Sequence, residues 1–419
     1  MSSSEHPFRW RSLALPALLP TLLFSIGEGA ILPIIPIVAD RLGADLATAG
    51  LVASMIMVGH LIGDIPSGWL ISKTGERPAM IGAAFVAAVG LGLAIASTSP
   101  FMLGASILVI GIASAVFALA RHAFLTSFVP QSYRARALST LGGTFRLGYF
   151  VGPFLAAGVI AITGSTTAVF GLHIVGCVAA AVVLLLLRDP AASFGASAAS
   201  RSAHGPSTPE GGQLVAQETI GLFRTMWASR RILTTLGVGA ALIGAIRASR
   251  AVILPLWAVS IGIGDANTAL IIGIAGAIDF ALFYASGQIM DRFGRLASAL
   301  PSMIGLGLGH LALSFSHDLP GNVVWFISVA MFLSVANGIG SGILMTLGAD
   351  LADPRNPAPF LGAWRFTADL GGAGAPLLIS GVTAAVSLSL ATGVMGVLAL
   401  AGAGILLRYI PKYVPRSKL

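Results

Sequence analysis

The feature that most restricts this chain is the recurrence of long apolar segments. Twelve can be drawn, near 12–38, 47–71, 79–97, 101–129, 137–163, 166–187, 232–260, 267–289, 297–316, 322–348, 359–386 and 388–410. A helix needs about 20 mostly apolar residues to cross the hydrocarbon core of a bilayer, and these segments reach that length. None shows the short alternating pattern of a membrane barrel strand. Only 10% of the residues are charged and 56% are hydrophobic, where a soluble domain carries about 25% charged residues. So few charges cannot cover a water-facing surface. The expected class is an all-α integral membrane protein with twelve transmembrane helices in two six-helix bundles. Arg9 and Arg11 precede the first apolar run, as in a signal peptide. The run continues to Val38 with no small-residue cleavage site, so it reads as a retained first helix. The single cysteine, Cys177, excludes an internal disulfide and any cysteine-clustered metal or iron–sulfur site.

Orientation follows from Lys and Arg. With a cytoplasmic N-terminus, most of the 24 Lys and Arg residues fall in inside loops and tails, among them Lys73, Arg77, Arg134, Arg136, Arg188, Arg201, Arg230, Arg231, Arg292, Arg295, Arg355 and Arg408. The outside loops hold one, Arg41. Both termini are therefore expected to be cytoplasmic. The net charge of +8 is explained by topology in the lipid bilayer, and no nucleic-acid partner is needed. The longest gap, 188–231, is rich in Ala, Ser, Gly and Pro, which is linker composition. Its end could form an interfacial helix, with Leu214, Ile220, Leu222 and Met226 against lipid. The chain thus divides into a bundle over 1–187, a linker over 188–231 and a bundle over 232–419.

The two bundles read as a duplication. Gly68 and Gly287 stand 219 positions apart, Pro33 and Pro255 222, and Pro153 and Pro376 223. Three anchors from three segment pairs, in order, agree within four residues, a difference that loop insertions absorb. Parallel six-helix repeats are a known way to build transporters, with the substrate site between them near mid-membrane. The first anchor belongs to a signature that recurs: SGQIMDRFGR at 286–295, and SGWLISKTGER at 67–77.

That signature resembles the G-x-x-x-D-[RK]-x-G-[RK]-[RK] motif of the major facilitator superfamily, and the resemblance covers the whole chain. Gly287, Asp291, Arg292, Gly294 and Arg295 match, with Leu296 in the last basic slot. In the first half Gly68, Lys73, Gly75 and Arg77 match, while Ser72 replaces the aspartate and Glu76 a basic residue. Gly148-x-x-x-Gly152-Pro153 looks like the fifth-helix motif of the family's antiporters, with Ala156 and Ala157 in place of the closing glycine pair. Gly27, Gly29, Pro33 and Pro36 look like the opening of its twelve-helix drug:proton antiporters; the usual fourth-helix arginine is absent from its slot, and Arg121 stands further along. The resemblance implies two bundles rocking about a central cavity, driven by the proton gradient. The charged motif residues are expected to gate the cytoplasmic side. With an aspartate only in the second copy, Asp291, Arg292 and Arg295 should bear more of that closure.

Ionisable groups within the apolar segments are functional candidates, since a charge at the bilayer centre costs at least about 2.5–3.5 kcal/mol. The candidate proton-coupling groups are Glu28, Asp64, Asp279, Asp369 and His60. Glu28 comes first, because it lies near the middle of its segment on one face with Thr21 and Ser25. Burial favours its protonated form and a neighbouring arginine its ionised form, so alternating access could switch it. His60 and Asp64, four apart, could form a relay or a structural pair. Arg365 and Asp369 could satisfy each other. Arg247 and Arg250 repel on one face and call for an acid such as Asp279, a substrate anion or water. The repeat sets Arg250 where Glu28 falls in the first half, which suggests a pair facing across the cavity. Candidate cavity residues are Arg121, His122, Arg146, Tyr149, Arg247, Arg250, Tyr284 and Arg365, with Trp257 and Phe280 as further aromatics. His173 and His310 also fall within segments. The arginine excess over acids favours an anionic or strongly hydrogen-bonding cargo. The runs GLGLG (305–309) and NGIGSG (337–342) read as helix-packing surfaces, without the strand that a nucleotide loop requires.

The expected function is proton-coupled efflux of a drug-like or metabolite small molecule across a bacterial inner membrane, by a monomer without cofactor, metal or catalytic residues. The alternative is proton-coupled uptake of an anionic metabolite. A membrane receptor or intramembrane enzyme is more distant: the chain carries no H-E-x-x-H motif and no nucleophile–base pair.

Overall fold

A computed structural model describes residues 18–128, 131–186, 222–353 and 358–414. Residues 1–17, most of the linker, Arg355, Arg416 and Lys418 lie outside them. The described chain is helical throughout. The first half holds α1 (Leu19–Ile31), α2 (Ile35–Arg41), α3 (Leu46–Thr74), α4 (Glu76–Ile95), α5 (Pro100–Phe128), α6 (Gln131–Thr163) and α7 (Ala168–Leu186). The second holds α8 (Leu222–Ala228), α9 (Arg230–Leu233), α10 (Leu236–Ser260), α11 (Asp265–Phe293), α12 (Arg295–Ser314), α13 (Asn322–Ile339), α14 (Ile343–Leu351), α15 (Ala358–Ala385) and α16 (Leu388–Tyr413). In a lipid core every backbone polar group must be satisfied within the protein, and helices do this segment by segment.

Among the described residues, ten helices are long and apolar enough to cross a membrane, and the bent pair α1–α2 makes an eleventh. The remaining expected segment is α15, which spans 28 residues but carries Arg365, Asp369 and several glycines. The first segment breaks at Leu32–Ile34 with a 41° bend. Pro33 supplies the cause, since it lacks an N–H and its ring crowds the preceding turn. The tenth segment breaks between α13 and α14, where Gly342 takes φ +84°.

The duplication is visible in the backbone. α3 ends and α4 begins at Gly75, with φ 87° and ψ 162°. α11 ends and α12 begins at Gly294, with φ 90° and ψ 167°. This region is essentially open to glycine alone, so the recurring glycine-and-charge signature is first of all a turn. Within the halves, α1 packs on α6 and α7, and α10 packs on α15 and α16. Between them, α3 meets α15 and α6 meets α11.

The helix-5 motif is a close crossing. A Cβ at Gly152 would lie 2.5 Å from the Ala30 nitrogen and the Ile26 carbonyl oxygen of α1. At the repeat-related crossing, a Cβ at Gly371 would lie 2.0 Å from the Ala241 carbonyl oxygen of α10. Small residues let the backbones touch. Gly287 lies in open space by contrast, for a Cβ there would meet nothing within 4 Å. Met226 of α8 also departs from expectation: it packs against the core, and α8 lies on α15. Leu214 and Ile220 lie outside the described residues.

Candidate functional site

A cavity of about 430 Å³ lies between the two halves, within the usual range of roughly 300–1,000 Å³ for small-molecule sites. α1 and α6 contribute Gly29, Pro33, Phe145, Arg146, Tyr149 and Phe150; α10, α11 and α13 contribute Arg247, Arg250, Pro255, Asp279, Phe280 and Asn337, with Ser341 just beyond. Phe150 and Phe280 stack across the halves, with ring centroids 5.7 Å apart.

Arg250 donates to Asp279 Oδ2 at 3.0 Å and to Ser334 Oγ at 2.8 Å. Asn337 Nδ2 donates to the same Asp279 oxygen at 2.6 Å. The expected answer to the repulsion between Arg247 and Arg250 is therefore present. Arg247 donates to the Gly340 carbonyl at 2.6 Å, an acceptor freed by the break between α13 and α14. Arg146 reaches from the first half to Ser341 Oγ at 2.7 Å and lies over the Phe283 ring at 4.4 Å.

Behind the Tyr149 wall lies Glu28, 2% exposed. Its Oε1 is 3.2 Å from His60 Nε2 on α3, and Tyr149 faces the same carboxylate. The suggested pairing of Glu28 with Arg250 across the cavity is absent: each finds its partner in its own bundle, because α1 and α3 are near enough to meet first. His60 and Asp64 do not pair either. Asp64 is 3.9 Å from Arg365 on α15, across the halves, and Arg365 is 3.4 Å from Asp369. Two acids thus converge on one arginine. Arg121, Arg146 and Arg247 are left without a carboxylate partner among the described residues; Arg121 lies over the Phe145 ring at 4.5 Å.

Of the expected cavity residues, Arg146, Tyr149, Arg247, Arg250 and Phe280 line it. Arg121, His122 and Arg365 stand outside this lining. Tyr284 is 81% exposed and does not line it. Trp257 is fully buried in the core with its ring edge-on to His317. His310 is held by Ser249 Oγ at 3.1 Å and the Leu306 carbonyl at 2.8 Å, as a structural histidine. Sequence reasoning missed Asn337, Ser334 and Ser341. The signal was there: a polar Asn opens the run NGIGSG, which read as packing alone.

At the turn of the second signature copy, Arg295 binds Asp350 on α14 at 2.8 Å and lies 3.7 Å from Asp291. Both partners belong to the same half. Lys73 lies over Trp69, and Arg77 donates to the Leu184 carbonyl, both contacts within the first half. At the opposite end, Arg41 pairs with Asp265 across them. Gly50 packs there between Ser380 and Leu256. Contacts thus join the two halves at the end away from the signature turns.

Two helical bundles meeting around a mainly apolar cavity with a cluster of charged groups near the middle of their spans, with broken and proline-containing helices around it, are the architecture of a secondary transporter. The chain belongs to the Major Facilitator Superfamily, whose sequence model matches residues 17–376. It is a multi-pass membrane protein and a transporter of that superfamily. It is 25% identical over 180 residues to the galactose-proton symporter of Escherichia coli K12, covering 43% of this chain and 39% of that one. It is 29% identical over 141 residues to the class H tetracycline resistance protein of Pasteurella multocida, covering 33% of this chain and 35% of that one. A gallate transporter of Pseudomonas putida is 27% identical over 148 residues, 34% of this chain and 32% of that one. The chain thus spans about two fifths or less of the curated relatives it matches. The fold extends further. The xylose transporter XylE of E. coli, in a partially occluded inward-open conformation, superposes with TM-score 0.72 at 13% identity, covering 98% of this chain and 99% of that one. A POT family transporter in complex with a thioalcohol-conjugated peptide gives TM-score 0.75 at 16% identity, over 96% of this chain and 97% of that one.

Proposed function

We propose that the protein is a proton-coupled secondary active transporter of the bacterial inner membrane, a monomer with cytoplasmic termini, that exports drug-like or metabolite small molecules by alternating access. The observation that carries this reading is the contact of buried Glu28 with partly buried His60, beside the cavity-lining Tyr149. A carboxylate and an imidazole in contact can hold or release a proton between them, and a change of helix packing alters the stability of the charged form. Coupling therefore needs no chemical conversion of the cargo and no cofactor. The 3.9 Å approach of Asp64 to Arg365 spans the halves toward the signature-turn end, and Asp369 shares that arginine, so separation of α3 from α15 there must break or exchange it. The gating turns act in the complementary state. Export is supported by the Gly148–Gly152 crossing, which matches the antiporter motif, and by the similarity to a tetracycline resistance protein. The similarity to a proton symporter supports proton coupling.

A second reading, proton-coupled uptake of an anionic metabolite, is favoured by one observation. Arg146 and Arg247 face the cavity without a carboxylate partner. Proteoliposomes separate the two readings. A thermal-shift panel of drugs, sugars and organic acids first finds cargo, and a trapped pH-sensitive dye then reports proton flux. Proton movement opposite to cargo supports export; movement in the same direction carries the second reading. Glu28→Gln should abolish gradient-driven transport while cargo exchange persists.

A further inference from the structure

The cavity wall holds three polar atoms that no other protein atom satisfies. Arg247 Nε is a donor, and Asp279 Oδ1 and Asn337 Oδ1 are acceptors. Asn337 is only 7% exposed. All three residues line the cavity. Buried polar groups in folded proteins are normally hydrogen-bonded, and each exception requires an explanation. Two further observations bear on the same space. The cavity's charged side chains are Arg146, Arg247, Arg250 and Asp279, and Asp279 is already engaged with Arg250. That leaves Arg146 and Arg247 held by Ser341 Oγ and the Gly340 carbonyl, with no carboxylate at ion-pair distance among the described residues. The rest of the wall is flat and apolar: Phe150 and Phe280 stack with an interplanar angle of 9°, and Phe145 packs on Tyr149 at 4.4 Å.

From these features we infer that the cargo is a flat organic acid carrying a hydrogen-bond donor, of the hydroxyaryl carboxylate class. Its carboxylate is held by Arg146 and Arg247. Its ring lies against the aromatic wall, and its hydroxyl donates to Asp279 Oδ1 or Asn337 Oδ1. A guanidinium suits a carboxylate because its planar donors match the two oxygens. The acceptor pair explains why a second, donating group is required. A lipophilic cation is excluded by the same charges. Arg146 gives the site a link to conformation: it belongs to α6 of the first half, yet donates to Ser341 of the second, so an anion seated on it bears on the contact between the halves.

This inference rests on the cavity being the transport site, as proposed above, but it is tested without a gradient. The purified full chain in detergent at pH 7 is titrated calorimetrically with 4-hydroxybenzoate, benzoate, 4-hydroxybenzamide and benzylammonium. The hydroxy acid should bind at least about tenfold more tightly than the amide, which lacks the charge, the loss expected for a charged hydrogen bond. It should also bind several-fold more tightly than benzoate, which lacks the hydroxyl. Arg247→Gln should erase the preference for acid over amide. Asn337→Leu combined with Asp279→Asn, which leaves one oxygen that Arg250 occupies, should erase the preference for 4-hydroxybenzoate over benzoate while leaving the acid preference in place. Equal binding of acid and amide by the wild type, or tighter binding of benzylammonium, overturns the inference, and this comparison needs no variant. Binding in the expected order with no gradient-driven transport leaves the inference standing and defeats the proton-coupled reading. Gradient-driven transport of cations alone does the reverse.

Discussion

The two halves descend from one bundle, yet they carry the same intramembrane pair with its polarity reversed. In the first half the acid Glu28 sits on α1 and its basic partner His60 on α3. In the second the base Arg250 sits on α10 and its acidic partner Asp279 on α11. The offsets of 222 and 219 positions relate these residues one to one. The difference lies in what each pair can do. Imidazole titrates near neutral pH, whereas guanidinium stays charged. The first half therefore holds a pair that can exchange a proton, and the second a fixed ion pair beside a surplus of positive charge. On the proposed reading, side-chain chemistry at two equivalent positions divides proton handling from cargo binding.

The largest effect expected of this comparison is on coupling. Glu28→Gln should reduce gradient-driven transport to background in proteoliposomes, while Asp279→Asn should retain the coupling and change cargo affinity, because the amide keeps an oxygen for Arg250. If both variants lose driven transport equally, the division of labour is wrong. Next come the two helix crossings. Gly152→Ala and Gly371→Ala should each destabilise by about 2 kcal/mol or more, as overpacked cores do, since each added Cβ meets backbone. Gly287→Ala, in open space, should stay within about 0.5 kcal/mol of wild type. Thermal unfolding in detergent checks the set, and a tolerated Gly152→Ala would break the equivalence of the crossings.

The two turns offer a sharper test. Gly75→Ala and Gly294→Ala should each cost about 1–2 kcal/mol for an L-residue forced to positive φ, and the two losses should match. The smallest effect concerns the starts of α3 and α11. Asp45 caps α3 by accepting from the Thr48 N–H at 2.7 Å. Gly264, at the corresponding position of α11, has similar extended geometry and no side chain to cap with. Asp45→Ala should cost about 1 kcal/mol and Gly264→Asp should gain some tenths. The bonds from Thr48 hold the Asp45 carboxyl below its ordinary range. A lowered folded value means that the contribution is present above the unfolded value and fades as pH falls through the folded one. Wild type and Asp45→Asn should thus differ in melting temperature more at acid pH than at pH 7, since the amide does not titrate.

Much of this was legible in advance. The all-helical membrane class and the position of both turns follow from apolar length and the conformational freedom of glycine, local properties of a chain in lipid. The candidate acids and bases were legible for the same reason, because charge inside an apolar run is costly wherever the run packs. Partner choice was not. Spacing suggested His60 with Asp64 and Glu28 opposite Arg250, but pairing depends on which helices are neighbours, and sequence separation does not carry that information. The contact of α1 with α3 brought Glu28 to His60, and the contact of α3 with α15 brought Asp64 to Arg365. Asn337 was overlooked because a polar residue in a glycine run matters only once α13 is set beside α11. The sequence by itself determined that the chain spans a membrane as a doubled bundle with buried charge. Only the tertiary structure decided which charges neutralise one another and which are left for a cargo, since a few ångströms across helix interfaces settle that balance.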